Sequence, residues 1–524
     1  MKKYFSLSKL AIGFFIFLSF WSITTLTADP DLWWHVKVGE WIIEHNAVPH
    51  YDIYSHTMQG FEWFDHEWLI EAALWLLYGK DLWWLAVLIF SLLSFLPFLF
   101  WLRRARSFAH VWIITLIAFA MTHTIGVRAQ VFSFALFFIV FEIVRKRYGE
   151  EARGAVSRAS FFALPFIFFA WANLHAGFFS GLVLFGIFIF IRHFVAWWKA
   201  RQIAYRALVP DLLVFAASFA ATFINPYGWK VYQLIFEALL SPETARYIVE
   251  WRPVFSTNRP HVILLVGLFA FIVARYRKKY PPALLAAGAA FFVLFIKSVK
   301  MGPLFFITAI PIFAHGEEYI KEEISRVRRD HPFSAKTKEM ARAGAVLLFF
   351  VLFFFFGSYM RPYAFSLSRD AVFSLPRSSY FPEKAVAVLR EEAARGDIGN
   401  IFNAYGWGGY LIFYAPEIKV FVDGRMPQWV DERGGSAMRD YVKVYYGGIA
   451  KEQKEVLQRR NIETVFIENS KRKEKGLWAR RLARLLSDPE KKSLPATLVD
   501  EGWSVVYEDE GAIILRCPDG SCWK

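Results

Sequence analysis

The chain has 524 residues, 56% of them hydrophobic, with 56 phenylalanines and a net charge of +15. So many long apolar runs exclude an ordinary soluble protein. The positive charge is sorted along the chain, which points to anionic lipid head groups and a phosphorylated substrate and away from nucleic acid.

Lys2, Lys3 and Lys9 lead into an apolar segment with no small-residue cleavage site after it. This start reads as an uncleaved anchor. The next stretch, Asp29 to Glu71, is acidic, aromatic and rich in histidine. Nine carboxylates (Asp29, Asp31, Glu40, Glu44, Asp52, Glu62, Asp65, Glu67 and Glu71) face a single Lys37, and five of the twelve histidines are here. Charge is costly to place against a bilayer, so water-side chemistry is expected in this loop. Trp68–Tyr78 is short and flanked by acids, and reads as a helix lying in the interface.

Apolar spans are expected near 8–27, 82–102, 109–125, 129–144, 160–173, 177–195, 209–224, 261–275, 282–296, 302–315 and 344–359. With the N-terminus inside, alternation puts Arg103/Arg104/Arg106, Arg145/Lys146/Arg147, Arg192/Lys199/Arg201, Arg275/Arg277/Lys278/Lys279 and Arg326/Arg328/Arg329 in cytoplasmic loops. The positive-inside rule is met at each step, and counting Trp68–Tyr78 as a span inverts it. From about Arg361 the long apolar runs stop. GNIFNAY, GGYLIFY, KVFVDGR, IETVFIE and GWSVVYE read as strands, and PEKAVAVLREEAARG and KEQKEVLQRRN as amphipathic helices. The expected fold class is therefore a polytopic α-helical membrane protein of about eleven spans over residues 1–360. Its first outer loop covers 28–81, and a soluble α/β domain over 361–524 follows on the outer face. The expected location is a bacterial-type cytoplasmic membrane. Cys517 and Cys522, separated by a Pro-Asp-Gly turn, are expected to form a disulfide there.

Several motifs are absent. His66-Glu67 begins like HExxH, but Ile70 stands at the second His position. Gly177–Gly181 is not a serine-nucleophile turn, and no Walker A or GxGxxG follows a strand. The two cysteines lack the spacing and partners of a zinc site.

Asp31-Leu-Trp-Trp-His-Val-Lys-Val-Gly-Glu-Trp-Ile, directly after the first span, resembles the opening of the first outer loop in membrane glycosyltransferases of the GT-C superfamily. The resemblance extends to Arg128-Ala-Gln-Val-Phe, Trp171-Ala-Asn-Leu-His-Ala-Gly and Asn225-Pro-Tyr-Gly. It is also similar to bacterial proteins of this type with an outer domain bearing Trp407-Gly-Gly-Tyr and Asp423-Gly-Arg. The resemblance implies a GT-C-like fold, an Asp at the loop's opening, and two interfacial helices lining a site. The usual paired-acid motif is not clean in this chain, and a divalent metal is neither required nor identified.

Transfer of a sugar from a lipid phosphate needs a base for the acceptor hydroxyl and cations for the leaving phosphate. Asp31, just outside the first span, is the candidate base, since partial desolvation raises a carboxylate's pKa. Asp29 is the alternative, with Asp65 and Glu67 assisting or holding a metal. Arg128, Arg252, Lys297 and Lys300 stand at outer span ends, at the depth of a lipid phosphate. Trp33, Trp34, Trp63 and Trp68 suit stacking on a sugar, and His35, His56, His66, Asn173 and His175 complete the candidate substrate set. Each has a structural alternative. The tryptophans suit interface anchors. Asp29 and Asp31 suit caps of the helix beginning at Leu32. The histidines suit hydrogen-bonding partners, Arg128 suits a snorkelling end, and Asn225-Pro-Tyr-Gly and Asp423-Gly-Arg suit turns.

The reading is a glycosyltransferase moving sugar from a polyprenyl-phosphate donor to a glycan, lipid or protein acceptor on the outer face. A transporter or flippase of lipid-linked glycans would hold its polar groups near the bilayer midplane. A non-catalytic, glycan-binding envelope assembly protein would leave the acidic loop unexplained.

Overall fold

The structure is a computed structural model that describes residues 29–105, 107–121, 124, 126–148, 158–256, 260–330, 334, 381–447, 450–469 and 493–517. The expected spans 8–27 and 344–359, and Cys522, lie outside the described residues. Cys517 is buried and disulfide-bonded. Contacts gather the chain into two units, residues 1–27, 83–231 and 248–367 in one and 28–82, 232–247 and 368–524 in the other.

In the first unit the apolar runs form helices: Trp83–Arg104, Phe108–Ala120, Gln130–Tyr148, Leu164–Ala172, Phe178–Ala200, Tyr205–Ala221, Pro260–Tyr276, Pro282–Lys297 and Gly302–Asp330. Three described helical stretches, Trp83–Arg104, Phe178–Ala200 and Val299–Arg326, are long and apolar enough to cross a membrane. The full count of about eleven spans is not established by these residues. The run expected over 160–173 is broken into Arg158–Phe162 and Leu164–Ala172. Pro165 causes the break, since proline is tolerated in a first turn but not in a helix interior. Phenylalanines fill the interior. Phe137 packs edge-on to Phe291 at 5.0 Å and Phe141 lies against Phe188 at 6.2 Å.

The second unit begins with helix α1, Leu32–His45, and helix α2, Trp68–Gly79. Twelve residues of helix reach only about 18 Å, too short for a bilayer core of about 30 Å. The two helices touch through Gly39, where an added Cβ would lie 2.0 Å from the Glu71 carbonyl oxygen. After them come α3 (Glu383–Arg395), β1 (Asn400–Asn403), α4 (Gly408–Tyr414), α5 (Ala437–Tyr445), α6 (Ala450–Arg459), β2 (Ile462–Glu468), α7 (Leu494–Asp500), β3 (Ser504–Glu508) and β4 (Ala512–Arg516). The sheet runs β1-β2-β4-β3, with β1 and β2 parallel and β4 antiparallel to both its neighbours.

Three elements differ from the sequence reading. Gly-Gly-Tyr-Leu-Ile-Phe-Tyr is a helix, α4, because it wraps an aromatic shell around fully buried Trp33. Tyr410 and Tyr414 each lie 5.3 Å from that indole, and such packing overrides aromatic strand propensity. The expected strand KVFVDGR joins no sheet. Val420 bridges Ser55 in parallel, and the buried amide of Asn403 holds the next residues, its Oδ1 accepting from Phe421 N at 2.8 Å. Ala512–Arg516, unread in the sequence, is the inner strand β4.

Candidate active site in the first loop

Asp31 stands at the start of α1, yet its side chain makes no capping bond. The carboxylate turns aside, and Oδ1 accepts from the Trp34 indole Nε1 at 3.1 Å. Beneath it lies the turn Asp423-Gly424-Arg425. A Cβ on Gly424 would fall 1.9 Å from Asp31 Oδ1, so the carboxylate occupies the place of a side chain. Asp29 is buried, and its Oδ1 accepts from the Asp31 backbone N at 3.1 Å. Asp31 itself is only half-buried.

The turn is fixed by a buried ion cluster. Arg425 donates to Asp423 through Nε at 2.9 Å and Nη2 at 2.6 Å, and Nη2 also reaches Asp52 Oδ1 at 2.9 Å. Asp52 accepts in addition from the Ser55 hydroxyl at 2.5 Å and the Ser55 backbone N at 3.1 Å. The rings of Trp63, Tyr54 and Trp429 lie 4.9, 5.1 and 5.4 Å from the guanidinium. This aromatic cage excludes water and strengthens the charge pairing. Burial and the nearby Glu71 and Asp65 carboxyls raise the Tyr54 pKa, against the opposing pull of Arg425.

A second buried network lies beside it. His35 Nδ1 is 2.7 Å from Glu71 Oε1, and Nε2 is 3.6 Å from Glu67 Oε2. Glu71 and Asp65 are wholly buried neighbours. Burial pushes Asp65 up to about 6, opposed by its hydrogen bond with Glu71. Burial, then the Asp65 charge, raises Glu71 well above the ordinary carboxylate range. Asp65 Oδ2 and Glu71 Oε2 have no other donor, so one shared proton satisfies both. With that proton on Glu71, Oε1 would accept from a His35 ring protonated at Nδ1 and Oε2 would donate to Asp65. His35, Glu67 and Glu71 offer a nitrogen and two carboxylate oxygens within 4.8 Å of one another, a donor set that suits a divalent cation.

The other candidates have defined places. His56 Nε2 bonds the Ile401 carbonyl at 2.9 Å, and burial lowers its pKa, so it pins the loop to β1 as a neutral ring. His66 Nε2 lies 3.7 Å from Glu67 Oε1. Trp34 lies against His35 with ring centroids 3.7 Å apart and planes tilted by 36°, and Trp33 and Trp63 are almost fully buried, so these rings are committed to protein contacts. In the first unit, Arg128 pairs with Glu250 at 2.8 Å. The Glu250 segment docks on the turn that carries Lys300. Val299 N donates to the Arg252 carbonyl at 3.1 Å, and Lys300 Nζ sits 4.9 Å over Trp251. Arg252 and Lys297 are exposed. Arg128 and Lys300 thus both contact the segment 250–252. Asn173 ties two turns, donating to the Phe169 and Ile224 carbonyls at 2.9 and 2.8 Å. His175 Nδ1 lies 2.8 Å from Ser133 Oγ and accepts from Gly177 N at 2.9 Å.

The sequence reading left out Asp52, Glu71, Asp423, Gly424 and Arg425 as site residues. Glu67 and Glu71 stand four apart on one helix face, a spacing that signals shared surroundings. Asp52 and Ser55 have the spacing of a side-chain-capped turn. Nothing local signals that Arg425 meets Asp52.

No protein-family model and no curated protein matches the sequence. Among solved structures, the chain is similar to the Archaeoglobus fulgidus oligosaccharyltransferase tethered to an acceptor peptide, with a TM-score of 0.57 at 12% identity over 97% of this chain and 73% of the other. It is also similar to the same organism's oligosaccharyltransferase AglB in complex with an inhibitory peptide and a dolichol-phosphate, with a TM-score of 0.56 at 12% identity over 99% of this chain and 75% of that one. This chain therefore shares the fold of the archaeal oligosaccharyltransferase.

Proposed function

We propose that the chain is a membrane glycosyltransferase that moves a sugar from a polyprenyl-phosphate carrier to a hydroxyl of a glycan, lipid or protein acceptor, with Asp31 as base. One observation carries this reading. In the opening of the acidic loop, Asp31 stays half-exposed while its carboxylate is oriented by Trp34 and seated on Gly424. Asp29, Asp52, Asp65 and Glu71 are buried. The acceptor oxygen attacks the sugar's anomeric carbon, its proton passes to Asp31, and the bond to the carrier phosphate breaks. The leaving phosphate takes the bonding electrons, and Arg128, Arg252, Lys297 and Lys300 are its proposed partners. Asp65 and Glu67 take supporting roles through the His35 network. The site faces outward from a cytoplasmic-type membrane. The fold support comes from the archaeal oligosaccharyltransferase, one form of which holds a dolichol-phosphate.

The test compares Asp31→Asn and Asp29→Asn with the unaltered protein in a deletion strain, reading envelope glycans by mass spectrometry. Loss of a general base costs about two to four orders of magnitude in rate, so Asp31→Asn should remove the product at normal protein level. Loss confined to Asp29→Asn moves the base to Asp29. Full product in both sinks the reading.

A further inference from the structure

We propose that a pocket in the first unit, at the shared ends of helices Trp83–Arg104, Phe108–Ala120 and Gln130–Tyr148, binds the phosphate of an anionic membrane lipid. The pocket has a volume of about 550 Å³, and Arg103, Arg104 and Arg145 stand on its lining. A separate basic pocket of about 420 Å³ lies at Arg275–Lys279.

Charge argues for an anion. Arg103 is exposed and makes no ion pair or hydrogen bond among the described residues. Arg104 is steadied over the Phe100 ring at 3.6 Å and has no carboxylate partner among the described residues. Arg145 is already matched by Glu142 at 3.0 Å and lies 5.3 Å over Trp101. It shapes the wall without supplying much free charge. His110 is bound to the Ala314 carbonyl and to Glu317, each at 3.0 Å. Among the described residues, Glu318 is the one carboxylate on the lining, 3.7 Å from His315. Two arginines on the lining therefore lack a carboxylate partner among the described residues, and a guanidinium is the group that grips phosphate oxygens bidentately.

Depth argues for a lipid over a soluble anion. Ile113, Ile114 and Ile310 share the lining with the arginines. The helix Trp83–Arg104 and the stretch Val299–Arg326 that border the pocket are both long and apolar enough to cross a bilayer. Arg103 and Arg104 close the first of these helices. A charged floor with isoleucine beside it, at a span end, matches a head group whose chains continue along the helices. Span-end arginines of this kind face the cytoplasmic leaflet, where anionic lipids gather. The assignment is independent of the role proposed for Asp31.

Native mass spectrometry of the full-length protein in detergent tests it, with dioleoyl-phosphatidylglycerol, dioleoyl-phosphatidylcholine, undecaprenyl phosphate and inorganic phosphate as probes. Phosphatidylglycerol or undecaprenyl phosphate should be retained over phosphatidylcholine, and the tighter of the two names the source of the phosphate. The double variant Arg103→Gln/Arg104→Gln should weaken retention by about tenfold or more, as loss of a charge-assisted contact requires. Glu318→Gln should strengthen it severalfold, a gain that misfolding cannot mimic. Arg275→Gln/Arg277→Gln, in the separate basic pocket, should leave it unchanged. Equal retention of phosphatidylcholine, displacement by equimolar inorganic phosphate, or indifference to both the Arg103/Arg104 and Glu318 changes overturns the assignment.

Discussion

Gly424 lacks a side chain where Asp31 needs room, and this contact ties the candidate base to a turn nearly four hundred residues away. Gly424→Ala would drive its methyl group to 1.9 Å from Asp31 Oδ1. A displacement of about 1 Å in a reacting group costs on the order of 100-fold in rate. The expected outcome is that loss of product at near-normal protein level, read by the same glycan mass spectrometry. A second residue-scale prediction concerns Glu71. The raised pKa values of Asp65 and Glu71 mean that the native state holds protons the unfolded chain releases. Their contribution to stability is complete below about pH 4, the ordinary carboxylate value. It is lost as pH rises through about 6 for Asp65 and higher for Glu71, as linkage requires. Glu71→Gln reproduces the neutral form, accepting from His35 and donating to Asp65. Its melting temperature in detergent should match or exceed the wild type at pH 8, with a flatter pH dependence. Glu71→Ala leaves both partners unmatched and should cost about 1–3 kcal/mol. A steeper pH dependence in Glu71→Gln would refute the shared proton.

At the scale of elements, α1 and α2 work as a pair because Gly39 lets their backbones meet. Gly39→Ala places a Cβ 2.0 Å from the Glu71 carbonyl oxygen and must push the helices apart. Overpacking of this kind costs about 1–3 kcal/mol, and the melting temperature should fall accordingly; an unchanged value would mean that the pair yields freely. Helices with a periodic apolar face, such as α3 and α6, were legible in the sequence because burial of that face decides them locally. The α4 helix was not, since its aromatic run suits a strand until Trp33 is present to be enclosed. KVFVDGR looks like a strand, but its Val420 bridges Ser55 of the first loop, a neighbour that no local pattern reveals. The candidate site divides the same way. Asp29, Asp31, His35, Asp65 and Glu67 stood out by their concentration in one loop. Asp423 and Arg425 looked like a turn because their partner Asp52 is remote in sequence.

For the whole molecule, the charge pattern makes a topology that fusions can test. Outward-active reporters placed at about residues 60, 175, 240 and 400 should be active, and those near 105, 200 and 330 inactive. Activity near 105 would mean that α2 crosses the membrane, against its length of 12 residues. The unit built from residues 28–82, 232–247 and 368–524 also sets a schedule for biosynthesis. The acidic loop leaves the ribosome early, while the stretch that carries Arg425 begins only after the 285 residues 83–367. At about 5–20 residues per second, that interval is roughly 15–60 seconds. Throughout it Asp52 and the Asp65–Glu71 pair stand in water, ionised and without their arginine. The carboxylates of the nascent loop become a buried charge cluster only when the last part of the chain arrives to close it.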